Sequence, residues 1–193
     1  MPMPSDCLSK APIGGVVTEE TFMVGPTLNQ RPGTVTYHRG NIVHDTADIL
    51  FNTVNTVGVM GKGVALAFKT AFPAIMPAYL ADCRSRALTA GSCLLYPLPI
   101  GRASVESPSS PVRLWAALAT KAHWRDASRI GWIGSGLTAL ADLAAEAGAR
   151  SIAIPPPGCG NGGLDWHAVE PLVLDILLDF DLRIYASPSR RPD

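Results

Sequence analysis

The chain has 193 residues, of which 47% are hydrophobic and 17% are charged, and its formal net charge at neutral pH is zero. This length and composition are typical of one folded domain with a substantial core, and they exclude a largely disordered chain. Zero net charge excludes a strong overall attraction to nucleic acid or membranes, although a local basic patch would suffice for a nucleic-acid partner.

The cysteines and the N-terminal sequence indicate the cellular compartment of the protein and whether it binds a metal ion. Cys7, Cys83, Cys93 and Cys159 form no C-x-x-C pair and no Cys/His cluster with zinc spacing. We therefore expect free thiols and no bound metal. The N-terminus lacks a basic stretch followed by an apolar stretch, and no apolar run approaches the roughly 18 residues of a membrane span. The sequence predicts a soluble, cytoplasmic protein with no membrane partner.

The first part of the chain predicts an extension followed by the start of the domain. Residues 1–33 are rich in proline, glycine and polar residues, which indicates a loosely ordered extension before a domain at residues 34–186. Alternating β-branched and aromatic residues predict a first core strand at residues 34–38. A short buried strand at residues 48–52 leads into NTVNTVGVMGKGVA (residues 52–65), which predicts a strand-to-helix turn.

The rest of the domain alternates between strands and helices. Helices are predicted at residues 63–72 and 75–86, the second with Pro77 in its first turn. The further expected elements are a strand at 92–96, a loop at 97–111, a central strand at 113–119, a helix at 130–147, a strand at 151–154, a helix capped by Asp165, a strand at 182–186 and a tail at 187–193. This alternation predicts an α/β sandwich with a largely parallel sheet, in which ligands bind beyond the carboxyl ends of the strands.

Two glycine-rich loops fall at carboxyl ends of predicted strands. They are the turn at residues 52–65 and PPPGCGNGG at residues 155–163. Glycine lets a ligand approach the backbone closely, and N–H groups at a helix start attract anions. The pair suggests a cleft that grips an extended phosphate-bearing ligand, although either loop alone can be a plain connection. Neither loop matches a P-loop or a Rossmann pattern, and no G-x-S-x-G motif occurs.

Three motifs together resemble those of the macrodomain family. They are NTVNTVGVMGKGVA at residues 52–65, TKAHWR at 120–125 and PGCGNGGLDW at 157–166, and the resemblance covers residues 34–186. Within the family the chain resembles the DarG-like antitoxin branch, which reverses DNA ADP-ribosylation, and more distantly the human terminal ADP-ribose glycohydrolase. The resemblance implies a three-layer α/β/α macrodomain with a mixed, largely parallel sheet. It also implies ADP-ribose as the ligand and no cofactor.

The resemblance also implies which residues bind ADP-ribose. Asn41 replaces the aspartate with which many macrodomains receive the adenine amino group, and Ile42 would lie beside the adenine. Asn55 would bind hydroxyls of the distal ribose, unless it only satisfies backbone groups of its loop. The other residues implied to line the ribose and the diphosphate are Asn52, Gly58, Gly61, Lys62, Gly63, Gly158, Cys159, Gly160, Asn161 and Gly162.

Lys121 is the catalytic residue that the resemblance implies. A lysine can attack the anomeric carbon of the distal ribose and form a transient adduct if its amine is neutral. That requires a pKa below its usual value of roughly 10.4, through burial or through cationic neighbours such as Arg125 and Arg129. As alternatives, Lys121 stays charged and stabilises the opened ribose, or it is only a surface lysine.

The remaining expectations concern the substrate. His123 and Trp124 are interpreted as contacts to the modified base, with core packing as the alternative for Trp124. Gly162 stands where the human relative uses an aspartate, which favours lysine-centred chemistry. The implied activity is removal of ADP-ribose from a DNA base, thymine in particular, by a monomer with a cognate ADP-ribosyltransferase as partner. The alternatives are hydrolysis of protein-linked ADP-ribose and non-catalytic ADP-ribose binding.

Overall fold

A computed structural model describes residues 32–98 and 113–186. The expectations for residues 1–31, 99–112 and 187–193 lie outside these ranges. The strands are β1 (Val35–His38), β2 (Ile49–Asn55), β3 (Cys93–Pro97), β4 (Leu114–Lys121), β5 (Ser151–Ile154) and β6 (Asp181–Tyr185). The α-helices are α1 (Gly63–Ala71), α2 (Met76–Ser85), α3 (Ile130–Glu146) and α4 (Trp166–Ile176), and short 3-10 helices occur at Ile42–His44 and Pro73–Ile75.

The strands form one mixed sheet in the order β1-β6-β5-β2-β4-β3. Neighbouring strands are parallel except for the antiparallel pair β3 and β4. The predicted largely parallel sheet is confirmed. Because β4 and β5 each pair in parallel with β2, the carboxyl ends of these three strands lie side by side at one edge of the sheet, where ligands bind in folds of this kind.

Alternating residues of the inner strands bury both faces of the sheet under helices. On β2, Ile49 and Phe51 pack into a core with α3 and α4, whereas Leu50 and Val54 pack into a second core with α1 and α2. β4 divides its side chains in the same way. The result is the expected three-layer α/β/α arrangement, in which helices cover both faces of the inner strands and the carboxyl edge of the sheet stays open.

Several local signals give the boundaries that the sequence predicts. Pro77 lies in the first turn of α2, and Asp165 caps α4 by accepting a hydrogen bond from the His167 N–H group. Gly148 follows α3 with a positive φ of 66°, a conformation that favours glycine. These caps confirm three of the predicted helix ends.

Three strand predictions are wrong, and two of the corrections bear on the site. β1 is not a core strand, because it pairs only with β6 at the edge of the sheet and is mostly exposed. β2 runs on to Asn55, so Asn52 belongs to a strand rather than to the turn. β4 runs on to Lys121 instead of ending at Ala119. The β2–β4 ladder continues to the pair Asn55 and Lys121, and these tertiary hydrogen bonds outweigh the low strand preference of asparagine.

Within residues 32–98 and 113–186, no single helix is both long and apolar enough to cross a bilayer. The helical segments Gly63–Ala71 and Pro73–Ser85 meet the length and composition only as a pair bent by 101°. In the same ranges Cys83 and Cys93 are free thiols, and no group of three His, Cys, Asp or Glu side chains is placed to hold a metal ion.

Candidate functional site

A cavity of about 610 Å³ opens at the carboxyl edge of the sheet, where β2, β4 and β5 end. Its size is typical of sites for small molecules and cofactors. We call residues 56–62 the first glycine loop and residues 155–163 the second glycine loop; they form opposite walls. The predicted site residues that line the cavity are Asn55, Gly61, Lys62, Gly63, Lys121, Trp124, Gly158, Gly160, Asn161 and Gly162.

The first glycine loop leads directly into the N-terminus of α1. Lys62 occupies the N-cap position and its side chain makes no capping hydrogen bond. Because no side chain caps the helix, the N–H groups of its first residues have no capping acceptor. These first residues, Gly63, Val64 and Ala65, line the cavity. Such N–H groups, together with the helix dipole, form an anion site. This wall of the cavity therefore suits a phosphate group.

The second glycine loop is held by the last residue of β4 and by the segment that follows this strand. The Lys121 Nζ donates a hydrogen bond to the Asn161 carbonyl at 2.5 Å, and the Ser128 N–H donates to the Gly162 carbonyl at 2.9 Å. The N–H groups of Gly160, Asn161 and Gly162 meet no acceptor among residues 32–98 and 113–186. With the carbonyls occupied and these N–H groups unpaired, the loop offers donors to an anion.

The two loops approach each other closely enough to hold one ligand between them. A Cβ atom added to Gly63 would lie 3.4 Å from the Asn161 Nδ2 atom. Gly63 also has a positive φ of 58°, so glycine is favoured there both by conformation and by the neighbouring loop. A diphosphate in this cavity can therefore contact the N-terminus of α1 and the second glycine loop together.

Lys121 ends β4 with only 8% of its surface exposed. Burial lowers the pKa of Lys121 below 10.5, and the nearby Asp126 carboxylate opposes part of that shift. Of the two causes that the sequence offered for a lowered pKa, burial acts on Lys121, and the charged neighbour that acts on its amine is Asp126 rather than Arg125 or Arg129. Because of this desolvation, the neutral form of the Lys121 amine is populated at a lower pH than in a surface lysine.

Asn55 organises the first glycine loop. Its Oδ1 atom accepts hydrogen bonds from the N–H groups of Val57 and Val59, both at 3.2 Å, and its Nδ2 atom donates to the Val59 carbonyl at 2.6 Å. These are the backbone contacts that the sequence left open as its alternative role. Tyr79 of α2 donates its O–H group to the Asn55 carbonyl at 2.6 Å. Tyr79 was missed because its position on a helix face indicates only core packing.

Comparison with known proteins assigns the family. Residues 51–173 match the sequence model of the family described as Macro domain. The chain belongs to the macrodomain family. Among related macrodomain proteins, a Thermus aquaticus protein named DNA ADP-ribosyl glycohydrolase is 41% identical over 139 residues, which cover 72% of this chain and 36% of the relative.

Two solved structures of related proteins resemble this macrodomain in sequence and in fold. The macrodomain of Mycobacterium tuberculosis DarG is 36% identical with a TM-score of 0.69, covering 79% of this chain and 97% of that one. Thermosipho africanus DarTG in complex with ADP-ribose is 30% identical with a TM-score of 0.74, covering 84% of this chain and 45% of that one. The resemblance to the DarG-like branch is confirmed. The chain spans less than half the length of the curated relatives that it matches.

The residues expected at the adenine end of the macrodomain site are not among those that line the cavity. The Asn41 Oδ1 atom accepts a hydrogen bond from the Val43 N–H group and caps the 3-10 helix Ile42–His44. Ile42 is buried in the core that contains α1 and α2. Neither residue lines the cavity, so contact of these residues with adenine remains a prediction.

Four other predicted residues do not line the cavity either. Asn52 is fully buried on the sheet face covered by α1 and α2, and its side-chain N and O atoms have no partner among the described residues. A Cβ on Gly58 would lie 2.5 Å from the Leu80 side chain, so Gly58 allows packing against α2. The Cys159 N–H donates to the Pro156 carbonyl at 3.3 Å and not toward the cavity. His123 lies beside the mouth of the cavity.

Gly162 is packed too tightly to carry a side chain. A Cβ atom there would lie 2.2 Å from the Gly158 carbonyl oxygen and 2.4 Å from the Ser128 Oγ atom. An aspartate at this position, as in the human relative, therefore requires the loop to move. Ser128 was missed, since a serine before a helix indicates only a capping residue. The packing around Gly162 therefore accounts for the glycine at this position.

The mouth of the macrodomain cavity carries an exposed aromatic side chain. Trp124 is 44% exposed and lines the cavity, so the alternative of core packing is wrong. The guanidinium of Arg125 lies 4.6 Å from the centre of the Trp124 ring, and the His123 ring lies 5.3 Å from it. A flat aromatic surface thus borders the same opening as the Lys121 amine.

Proposed function

We propose that this chain is an ADP-ribosyl glycohydrolase that removes ADP-ribose from a base in DNA, thymine in particular, with Lys121 as the catalytic residue. The observation that carries the proposal is the buried Lys121 amine beside two sets of N–H groups, at the start of α1 and in the second glycine loop, that meet no acceptor among the described residues. The name of the Thermus aquaticus relative supports a DNA-linked substrate, and the complex of Thermosipho africanus DarTG with ADP-ribose supports ADP-ribose as the ligand.

The diphosphate of ADP-ribose fits between the two walls of N–H groups. One wall is the uncapped start of α1, and the other is the stretch of the second loop at Gly160, Asn161 and Gly162. Backbone donors of this kind stabilise phosphate without a bound cation. With the diphosphate there, the distal ribose extends toward the end of β4 and meets Lys121.

The reaction requires the lone pair of a neutral Lys121 amine. The Nζ atom attacks the anomeric carbon, the bond from that carbon to the base nitrogen breaks, and the electron pair leaves with the base. The base takes a proton from solvent, and the Nζ atom releases one. Water then hydrolyses the adduct to ADP-ribose and the free amine. A neutral amine that donates a hydrogen bond to the Asn161 carbonyl keeps its lone pair pointed away from that carbonyl, which orients it for attack.

A cognate ADP-ribosyltransferase is the functional partner that we propose. A curated Thermosipho africanus relative is named a DNA ADP-ribosyl transferase-DNA ADP-ribosyl glycohydrolase fusion protein, and it is 35% identical over 192 residues. A transferase that adds ADP-ribose to DNA supplies the substrate that this site would hydrolyse. The proposed active unit is a monomer.

The substrate class is tested by offering the purified protein three substrates. These are thymidine-modified DNA, guanosine-modified DNA and glutamate-modified protein, with released ADP-ribose as the readout. We expect release from thymidine-modified DNA to be the fastest. Release from the modified protein alone would contradict a DNA substrate. Tight ADP-ribose binding without release from any of the three would identify a non-catalytic ADP-ribose-binding domain.

The pH dependence of the rate tests the state of the amine. Because burial lowers the pKa of Lys121 below 10.5, the neutral fraction grows as pH rises through that lowered value. We expect kcat/KM to rise with pH and to level off below pH 10.5. A rate that falls as the amine loses its proton would instead support a charged, stabilising lysine.

The same shift predicts a pH dependence of stability. In the unfolded chain Lys121 keeps its usual pKa, so the unfolded state binds more protons between the lowered value and 10.5. The contribution of this group to the free energy of unfolding therefore rises with pH in that window. Lys121→Ala removes this contribution, which urea denaturation at several pH values measures.

A further inference from the structure

The backbone carbonyl of Asn55, at the carboxyl end of β2, accepts a hydrogen bond from a side chain of α2. The Tyr79 hydroxyl donates to it at 2.6 Å, and the Cys83 Sγ atom lies 3.8 Å away as a weaker donor. Tyr79 is completely buried and is not among the residues that line the cavity. A ligand in the cavity therefore does not touch this hydroxyl, and any influence of Tyr79 on the reaction must pass through Asn55.

Asn55 lies at an irregularity in the ladder between β2 and β4. Val54 pairs with Ala119, whereas Asn55 pairs with Lys121. Thr120 is thus an extra residue on β4, as in a β-bulge. A bulge bends its strand and changes the direction of the side chains beside it, and bulges are common next to active sites. The side chain that follows this bulge on β4 is the Lys121 amine, so the bulge sets where that amine lies.

The Tyr79 ring is itself held by the strands under α2. The Trp115 ring of β4 packs edge-on against it, with the ring centres 6.1 Å apart, and the Tyr96 ring of β3 stacks on Trp115 at 4.8 Å. The Tyr96 hydroxyl donates to the Asp82 carboxylate of α2 at 2.7 Å. These contacts fix the position of the Tyr79 hydroxyl, so that it can hold the Asn55 carbonyl in one place.

Two further hydrogen bonds connect the chain just beyond the bulge. The Thr56 N–H group and the Thr56 hydroxyl both donate to the Ala122 carbonyl, at 3.3 Å and 2.7 Å. Asn55 and Lys121 are therefore enclosed between the regular ladder on one side and these bonds on the other. Because closely packed interiors transmit displacements, a shift of Asn55 moves the end of β4 with it.

We infer that Tyr79 is a positioning residue for the proposed hydrolysis: its buried hydroxyl fixes the bulge at the ends of β2 and β4 and so keeps the Lys121 amine buried and directed at the distal ribose. The inference rests on the proposed function and adds a residue that the ligand does not touch. Without the hydroxyl, the Asn55 carbonyl keeps only the weak thiol donor, and an unsatisfied buried carbonyl favours a movement that admits water.

Water at the end of β4 would hydrate the Lys121 amine and return its pKa toward 10.5, because burial is what lowers that pKa. The charged side chains around the amine are Asp126, which opposes the shift, and Lys62 and Arg125, which line the same cavity. Removing the Tyr79 hydroxyl changes none of these charges. A changed titration of Lys121 would therefore report changed hydration of its amine.

The test compares Tyr79→Phe with the matched variant Tyr96→Phe. Each substitution removes one hydroxyl from a ring that packs on Trp115, but only the Tyr79 hydroxyl bonds to β2. We expect kcat at neutral pH to fall about tenfold in Tyr79→Phe and the loss to shrink as pH rises. KM and the Kd for free ADP-ribose should change little, since the proposed diphosphate donors lie at the start of α1 and in the second glycine loop. Tyr96→Phe should keep the rate and its pH profile, and thermal denaturation compares the stability of the two variants.

A second measurement needs no substrate. The chain has four lysines, so NMR titration of protein with carbon-13-labelled lysine resolves Lys121 by the signal that Lys121→Ala lacks. We expect the Lys121 pKa to lie closer to 10.5 in Tyr79→Phe than in the unchanged protein and in Tyr96→Phe.

Two results would overturn the inference. An equal loss of kcat in Tyr79→Phe and Tyr96→Phe would assign the effect to the general packing of α2. An unchanged titration of Lys121 in a folded Tyr79→Phe would show that the hydroxyl does not control the burial of the amine. If the unchanged protein releases ADP-ribose from no substrate, the proposed function fails, and the NMR titration still decides whether Tyr79 positions Lys121.

Discussion

Replacing Lys121 with alanine is expected to slow ADP-ribose release by about a thousandfold and to leave the affinity for ADP-ribose nearly unchanged. The reason is that different groups in the cavity would perform binding and catalysis. The diphosphate would be held by backbone N–H groups of α1 and of the second glycine loop, whereas Lys121 supplies the side-chain amine beside the distal ribose. Single-turnover release from modified DNA and titration calorimetry with ADP-ribose measure the two quantities.

Two further variants decide what the lysine contributes. Lys121→Arg keeps a positive charge but has no neutral amine at ordinary pH, because the pKa of arginine stays above about 12. We expect it to be as slow as Lys121→Ala, and substantial activity in the arginine variant would contradict the nucleophilic role. Lys69→Ala is the control for general loss of charge, since Lys69 is exposed in the last turn of α1 and does not line the cavity.

The substitution Gly162→Ala is expected to weaken ADP-ribose binding by about tenfold or more. The new methyl group would overlap the Gly158 carbonyl and the Ser128 hydroxyl, so the second glycine loop must move. Such overpacking typically costs about 1–3 kcal/mol, and here the moved loop carries the N–H groups proposed to bind the diphosphate. Calorimetry measures the affinity, and thermal denaturation reports how much of the cost falls on stability.

The matched variant is Gly160→Ala in the same loop. A Cβ atom at Gly160 meets no atom within 4 Å, and its φ is not positive, so the added methyl group points into open space. Its effect on affinity should be much smaller than that of Gly162→Ala. Equal losses of ADP-ribose affinity in the two variants would show that the lack of space around Gly162 is not the cause of the weaker binding.

The family and the order of its elements were predictable from the sequence because their signals are local. The periodic apolar face of α3, the Asp165 cap of α4 and the glycine that ends α3 depend on residues within a few positions of one another. The two glycine-rich stretches are local in the same sense. Their placement after parallel strands was enough to predict that they meet at one edge of the sheet.

The contacts that build the site could not be predicted from the sequence, because they join residues that are far apart along the chain. The Lys121 amine and the Asn161 carbonyl are 40 residues apart, and Tyr79 reaches the Asn55 carbonyl across 24 residues. No local pattern indicates that Asp126 is the charge that acts on Lys121, because proximity in sequence pointed equally to Arg125 and Arg129.

Residue order alone was sufficient to predict the macrodomain family, the three-layer fold and the two loops that wall the cavity. The folded chain was needed to show that β1 is an exposed edge, that Asn52 is enclosed in the core, and that Trp124 faces solvent beside the Lys121 amine. The difference arises because propensity and periodicity act between neighbours along the chain. Burial, and the pKa shift that burial causes, depend on which distant elements cover a residue.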